Sequence, residues 1–416
     1  MYDPYAQFTK HILTNGLEVH FLSSGRPWIK AKIVVHSGGR EDPVAMPGLA
    51  HFVEHVVSQN IPDREFDKTR EFFELCGGRA EFGSTNYLST RYKFAVPADL
   101  PTFREALSIF GSMLLGARIE KNVEREREVI FREFNGRYPF VEELGWDMAI
   151  RKALFKGHRL ETYNRPLGRP EGFLSATEVD LRGFYETHYV PANISLVIIG
   201  GLSTEDVVTE LEKSPFGMQK RGTRNPIPSP FNPLPIPSEQ SNTVRMSDHI
   251  SFKIDQTEYK ATWAFPADFP RQARRVFDQM LNKILFEEFR EKRGLAYSVG
   301  TGYTNFQDVY EYEVGGRFSP SATPYINDLV QKCISMVPAR RDLFEQKKKS
   351  SIQKCLMIDL SGSDLVDNTA DDLGLRHRIS PMQEVWNELQ GVTREQMIEA
   401  TALLSSERQY TFIVHP

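Results

Sequence analysis

Short apolar runs alternate along the chain with longer stretches of helical period, and the two can be read separately. Residues 30–35 (KAKIVV), 90–96 (TRYKFAV) and 195–199 (SLVII) have the length and residue types of strands. So do residues 259–265 (YKATWAF), 309–314 (VYEYEV) and 411–414 (TFIV). In each set a helix and a glycine-containing turn follow the first run, and a charged helix follows the second, near 120–136 and 340–356. The two halves therefore read as distant copies of one plan. Between them lies residues 214–247, where NPIPSPFNPLPIPSEQSN carries a proline every two or three positions, which predicts an extended connector rather than a packed element. The expected fold is α+β, with two homologous sandwich-like domains at 1–213 and 248–416, each an antiparallel or mixed sheet with packed helices.

One helix breaks the pattern. Residues 48–58 (GLAHFVEHVVS) are apolar nearly all round, as a buried helix would be, yet His51, Glu54, His55 and Ser58 fall in a single sector roughly 100° wide. Buried imidazoles and a carboxylate need partners. Histidines at i and i+4 share a face one turn apart and can converge on one ion. A glutamate on the adjoining edge can hold a water without ligating. Two histidines leave a metal short of ligands, and residues 123–137 (VEREREVIFREFNGR) offer more. Glu126 and Glu133, seven apart, share a face with Val123, Val129, Ile130 and Phe134, whereas Glu124, Arg125, Glu128 and Arg132 point elsewhere and read as a solvated face. Ionised and unpaired, two carboxylates in an apolar stripe would be costly, so a nearby cation is the economical explanation.

Composition narrows the classes. The 416 residues carry 51 Lys+Arg against 55 Asp+Glu, a net charge of −4, which gives no electrostatic case for nucleic acid or for an anionic membrane surface. Cys76, Cys333 and Cys355 are odd in number and contain no C-x-x-C pair, so neither a disulfide framework nor thiolate zinc is expected. The longest apolar runs are strand-sized, short of the ~20 residues of a membrane span. The N-terminal residues lack the features of a secretory or transit segment, so a cytoplasmic protein is expected. No G-x-S-x-G elbow is present, and Gly38-Gly39 and Gly77-Gly78 are turn signals rather than phosphate-cradling loops.

At GLAHFVEH and EREREVIFRE the chain resembles the pitrilysin and mitochondrial-processing-peptidase family of inverted-motif zinc peptidases. LTNGLEV (residues 13–19), TRYKFAVP (90–97) and FREKRGLAYSV (289–299) resemble further family segments, in the family's order. The resemblance implies His51 and His55 as zinc ligands, Glu54 as general base, Glu133 as third ligand and Glu126 as a supporting acid, with one Zn²⁺ per chain in a clamshell of two domains. It implies that Arg290 and Tyr297, from the half without metal, stabilise the developing oxyanion, with Arg293 the nearby alternative for the arginine. It also implies substrate binding along a strand, where the family's Asn-Ala-x-Thr reads here as Phe82, Gly83 and, two further on, Thr85. Without the resemblance, Arg290 reads as a helix partner of Glu287 and Tyr297 as a half-buried tyrosine.

The expected activity is zinc-dependent endopeptidase cleavage of peptides or unfolded polypeptides by metal-activated water. The expected assembly is a homodimer, or a heterodimer with a non-metal homologue. The competing reading is a non-catalytic scaffold or regulatory subunit, and relatives of that kind usually lose part of the motif that is complete here.

Overall fold

The computed structural model describes residues 3–137, 141–163, 165–237, 241–245, 255–356 and 363–415. Six strands of the first half, β1 (Thr9–Ile12), β2 (Glu18–Ser23), β3 (Trp28–Val35), β4 (Arg79–Thr85), β5 (Thr90–Pro97) and β6 (Ile194–Gly200), form a sheet in the order β1-β2-β6-β3-β5-β4. Among the described residues only the β2–β6 pair of this sheet is parallel. The second sheet runs β7-β11-β8-β10-β9, from β7 (Ser241–Arg245), β8 (Thr257–Pro266), β9 (Ala296–Asn305), β10 (Val309–Phe318) and β11 (Tyr410–His415). Here the parallel pair is β7–β11. Leave out β1 and the two sheets superimpose in order and direction: β2 answers to β7, β6 to β11, β3 to β8, β5 to β10 and β4 to β9. The repeated plan read from the hydrophobic pattern is therefore present as repeated topology.

The connector is shorter than its prolines suggest. Pro215–Met218 forms a helical turn that buries Phe216 against Gly111 of helix Leu100–Leu115, and Ser241–Arg245 is the strand β7. Residues 246 and 247 lie outside the described set. Proline spacing hid both elements: one is a single turn started by Pro215, and the other is a polar pentapeptide (SNTVR) that pairs through backbone groups.

Each sheet has helices of its own half on one face, and a helix of the opposite half crosses the other. Helix Ser363–Arg376 lays Leu365, Val366, Ala370 and Leu373 over Val34, Val197 and Ile199 of the first sheet. Helix Val141–Leu154 lays Ile150, Ala153 and Leu154 over Ala264, Phe412 and Val414 of the second. This double covering explains why β6 is buried at every position rather than alternating. Among the described residues, no helix is long and apolar enough to cross a membrane, and all three cysteines are free.

Candidate metal centre

The helix Leu49–Gln59 starts where the chain can turn sharply. Gly48 has φ +98°, and a Cβ there would come within 2.8 Å of the Leu167 carbonyl. The first amides are held from outside the helix: Asp42 accepts from Gly48 N and Ala50 N, both at 2.7 Å. Leu49, Ala50, Phe52, Val53, Val56 and Val57 are buried, so the polar stripe has one orientation open to it. Helix Val123–Arg137 packs alongside through Ile130 and Phe134, and Arg127 ties it to the carbonyls of Leu174 and Ala176 at 3.2 and 2.9 Å.

Together these helices bring His51, His55 and Glu133 to one point. Glu133 Oε2 lies 3.8 Å from His51 Nε2 and 3.5 Å from His55 Nε2, and one ligand atom from each of the three lies within 4.8 Å of the others. Such separations are too long for hydrogen bonds but suit atoms sharing an ion, because zinc bonds of about 2.0–2.1 Å in a tetrahedron put ligand atoms about 3.4 Å apart. Two imidazoles and one carboxylate, beside a cavity of about 420 Å³, form the donor set of a zinc site with an open position. Behind it, His55 Nδ1 donates to the buried Glu126 carboxylate at 3.2 Å, which turns Nε2 toward the centre. Burial and the neighbouring His55 lower the His51 pKa to about 4. Burial also opposes charge on His55, but the hydrogen bond to Glu126 and the close Glu133 carboxylate overcome it and raise that pKa to about 9. Glu133 is held below the ordinary carboxylate range by its contact with His55.

Glu54 faces β4. Thr85 donates its hydroxyl to Glu54 Oε2 at 2.7 Å, and burial pushes the Glu54 pKa up to about 7. The β4–β5 register slips between Glu81 and Ser84, leaving Phe82 and Gly83 on a bulge. At Gly83 a Cβ would lie 2.1 Å from Glu54 Oε1, so the absent side chain is what admits the carboxylate. The Phe82 carbonyl accepts from Ser58, while the Phe82 ring turns into the core against Phe66, Phe73 and Phe110. β4 is an edge strand, paired on one side with β5.

Residues 23–166 match the family model described as insulinase (peptidase family M16), and residues 175–337 match the model described as the peptidase M16 inactive domain. The chain belongs to peptidase family M16. Over 392 residues it is 21% identical to the uncharacterized zinc protease YmxG of Bacillus subtilis, covering 92% of this chain and 91% of that one. Over 395 residues it is 21% identical to the mitochondrial-processing peptidase subunit beta of Saccharomyces cerevisiae, covering 88% and 81%. The crystal structure of a protease from Helicobacter pylori superimposes with a TM-score of 0.80 at 17% identity over the whole of both chains.

The other residues expected of an M16 site stand apart from the metal centre. Arg290 lies on the π-helical turn Phe286–Glu291 and Tyr297 at the start of β9, the counterpart of β4. They adjoin each other, with Arg290 Nη1 donating to the Tyr297 carbonyl at 3.5 Å, and the Tyr297 side chain is exposed. Neither lines the cavity around His51. Arg293 is held by Glu288, at 2.6 Å to the carboxylate. Glu287 pairs with Arg340 and Lys283 rather than with Arg290, which overturns the helix-partner reading of that arginine. The sequence pattern did not point to Asp42, Gln59, Phe66 or Arg137, of which the last three line the metal cavity. Arg137 sits three positions past Phe134, the end of the apolar stripe as read from the sequence, and is not singled out there.

Proposed function

We propose that this M16 chain is a zinc-dependent endopeptidase acting on peptides or unfolded polypeptides. The observation that carries the reading is the convergence of His51, His55 and Glu133 beside a carboxylate, Glu54, that does not join them. A bound zinc ion would supply Lewis acidity, polarising a carbonyl oxygen and acidifying water. The rest is the work of this chain's residues. Glu54, with a pKa near 7, can take a proton from water and return it to a leaving amine at neutral pH, and Thr85 fixes which carboxylate oxygen is free. The open edge of β4 can take substrate backbone as an added strand. In the second half, helix Arg271–Leu285 follows β8 but contains no histidine, in keeping with a single metal site per chain.

Arg290 and Tyr297 fit the reading if they serve a site completed by another protomer, as a homodimer or with a non-metal homologue would allow. On the same reading residues 1–213 form the metal-binding domain, and the second sheet with its helices forms the other. Three free cysteines accord with a reducing, cytoplasmic setting.

The test compares the purified protein with Glu54→Gln on a quenched fluorescent peptide library, alongside metal analysis. One zinc per chain is expected in both. Turnover is expected in the parent and should fall by about 10²–10⁴-fold in the variant. Zinc in both with turnover in neither, with or without a homologous partner, would favour a scaffold subunit.

A further inference from the structure

Next to the metal cavity lies a second one, of about 340 Å³, whose wall carries Arg64, Arg118, Lys121 and Arg125 against the acids Glu65 and Asp67. The two cavities share Gln59 and Phe66. We propose that this basic cavity is a subsite for an acidic side chain of the peptide substrate, an inference that rests on the peptidase reading above.

Its cations are placed by the metal helix itself. Asn60, which follows Gln59 at the helix end, donates its side-chain amide to the Lys121 carbonyl at 2.6 Å and accepts from the Asn122 side chain at 2.7 Å. The Lys121 amide donates to the Arg118 carbonyl at 3.1 Å. The loop is thus bolted to the turn that follows His55. Of the four cations, Arg64 is engaged by Glu105 and Arg118 by the exposed Asp63, while Arg125 stands 3.8 Å from Glu126. Lys121 has no ion pair among the described residues. The amino end of helix Val123–Arg137 opens on the same cavity and adds to its positive potential.

The geometry sets the distance from the reacting bond. Glu54 and Gln59 are five residues apart on the helix, roughly 7.5 Å along its axis. An extended peptide covers that in about two residues, and Arg118 and Lys121 lie just beyond. A peptide added along β4 passes the Phe66–Phe82 wall on one side, so an acid about two to four residues from the scissile bond, on that side alone, would enter the cavity.

The experiment uses the zinc-loaded full chain and one quenched peptide core, with Glu, Gln or Lys placed in turn at each of these positions on both sides of the cleaved bond. We expect Glu to exceed Gln in kcat/KM by roughly fivefold at one side only, mainly through KM, with the advantage shrinking in about 0.5 M salt. In Lys121→Glu, and in Lys121→Glu combined with Arg118→Gln, the Glu-to-Gln ratio should fall to one or below and Lys should become the preferred residue. A ratio near one at every position in the parent, or an unchanged ratio in both variants, would overturn the subsite. Should the parent cleave none of the series, the peptidase reading fails by itself. The subsite is then judged by fluorescence anisotropy of the same peptides: tighter binding of Glu than Gln that is lost in Lys121→Glu sustains it, and equal binding sinks it.

Discussion

At the scale of single residues, the centre depends as much on an absent atom as on the ligands. His51, Glu54, His55, Glu126 and Glu133 could be read from the sequence because each sits on a helix whose period assigns it a face. Gly83 could be singled out only by its place before a family-like strand, and its physical role is a distance across two elements that no periodicity encodes. Because a Cβ there would stand 2.1 Å from Glu54 Oε1, Gly83→Ala must displace the carboxylate or the bulge. The three atoms nearest that Cβ all belong to Glu54 and none to His51, His55 or Glu133, so the ligands should be little affected. We expect Gly83→Ala to keep one zinc per chain by metal analysis while peptide hydrolysis falls by about 10²-fold or more. Activity within twofold of the parent would show that Glu54 is not confined as described.

At the scale of elements, the strands and helices with strong apolar patterning were legible, and those held mainly by backbone pairing were not. β7 is the clear instance: SNTVR has too little apolar character to announce a strand, and it exists because β11 offers an edge for parallel pairing. The start of the metal helix was equally hidden, since its cap comes from six and eight residues upstream instead of from the residue before the helix. That makes Asp42 a test of how the helix is positioned. Its carboxylate holds two amides of the first turn, and His51 lies in that turn. Asp42→Ala would leave both amides without their acceptor in a buried setting, at a cost of about 1–2 kcal/mol. The expected results are a lower unfolding midpoint in urea and weaker zinc binding by competition with a chelator. Loss of stability with unchanged zinc affinity would mean that the helix start does not set the position of His51.

At the scale of the whole molecule, the two halves are fastened by the helices they exchange, and one fastening contains two histidines. His377 follows helix Ser363–Arg376 with φ +54°, and its ring meets that of His36, at the end of β3, with centroids 4.4 Å apart. His36 is fully buried, with Nε2 on Ser195 Oγ at 2.9 Å. Burial, then the guanidinium groups of Arg224 and Arg40, lower the His377 pKa to about 4, with Glu18 acting weakly the other way. Burial and the neighbouring His377 push His36 down as well. The unfolded chain, with histidines titrating near 6.5, binds more protons than the folded one between about pH 6.5 and 4, so these groups withdraw stability as pH falls through that window. Glu18, lowered to about 2 as its contacts with His20 and Arg224 outweigh burial, gives up its contribution only below the ordinary carboxylate range. Glu54 and Asp42, raised by burial to about 7 and about 8, act with the opposite sign, so the pH dependence of the parent alone would mix the two. The difference between the parent and His377→Asn cancels these common groups, and asparagine tolerates the positive φ. Relative to the parent, His377→Asn should gain on the order of 1 kcal/mol between pH 7 and pH 5 in urea unfolding, after allowance for the partial exposure of that ring. Parallel losses in the two proteins would show that the histidine contact does not govern how acid loosens one half from the other.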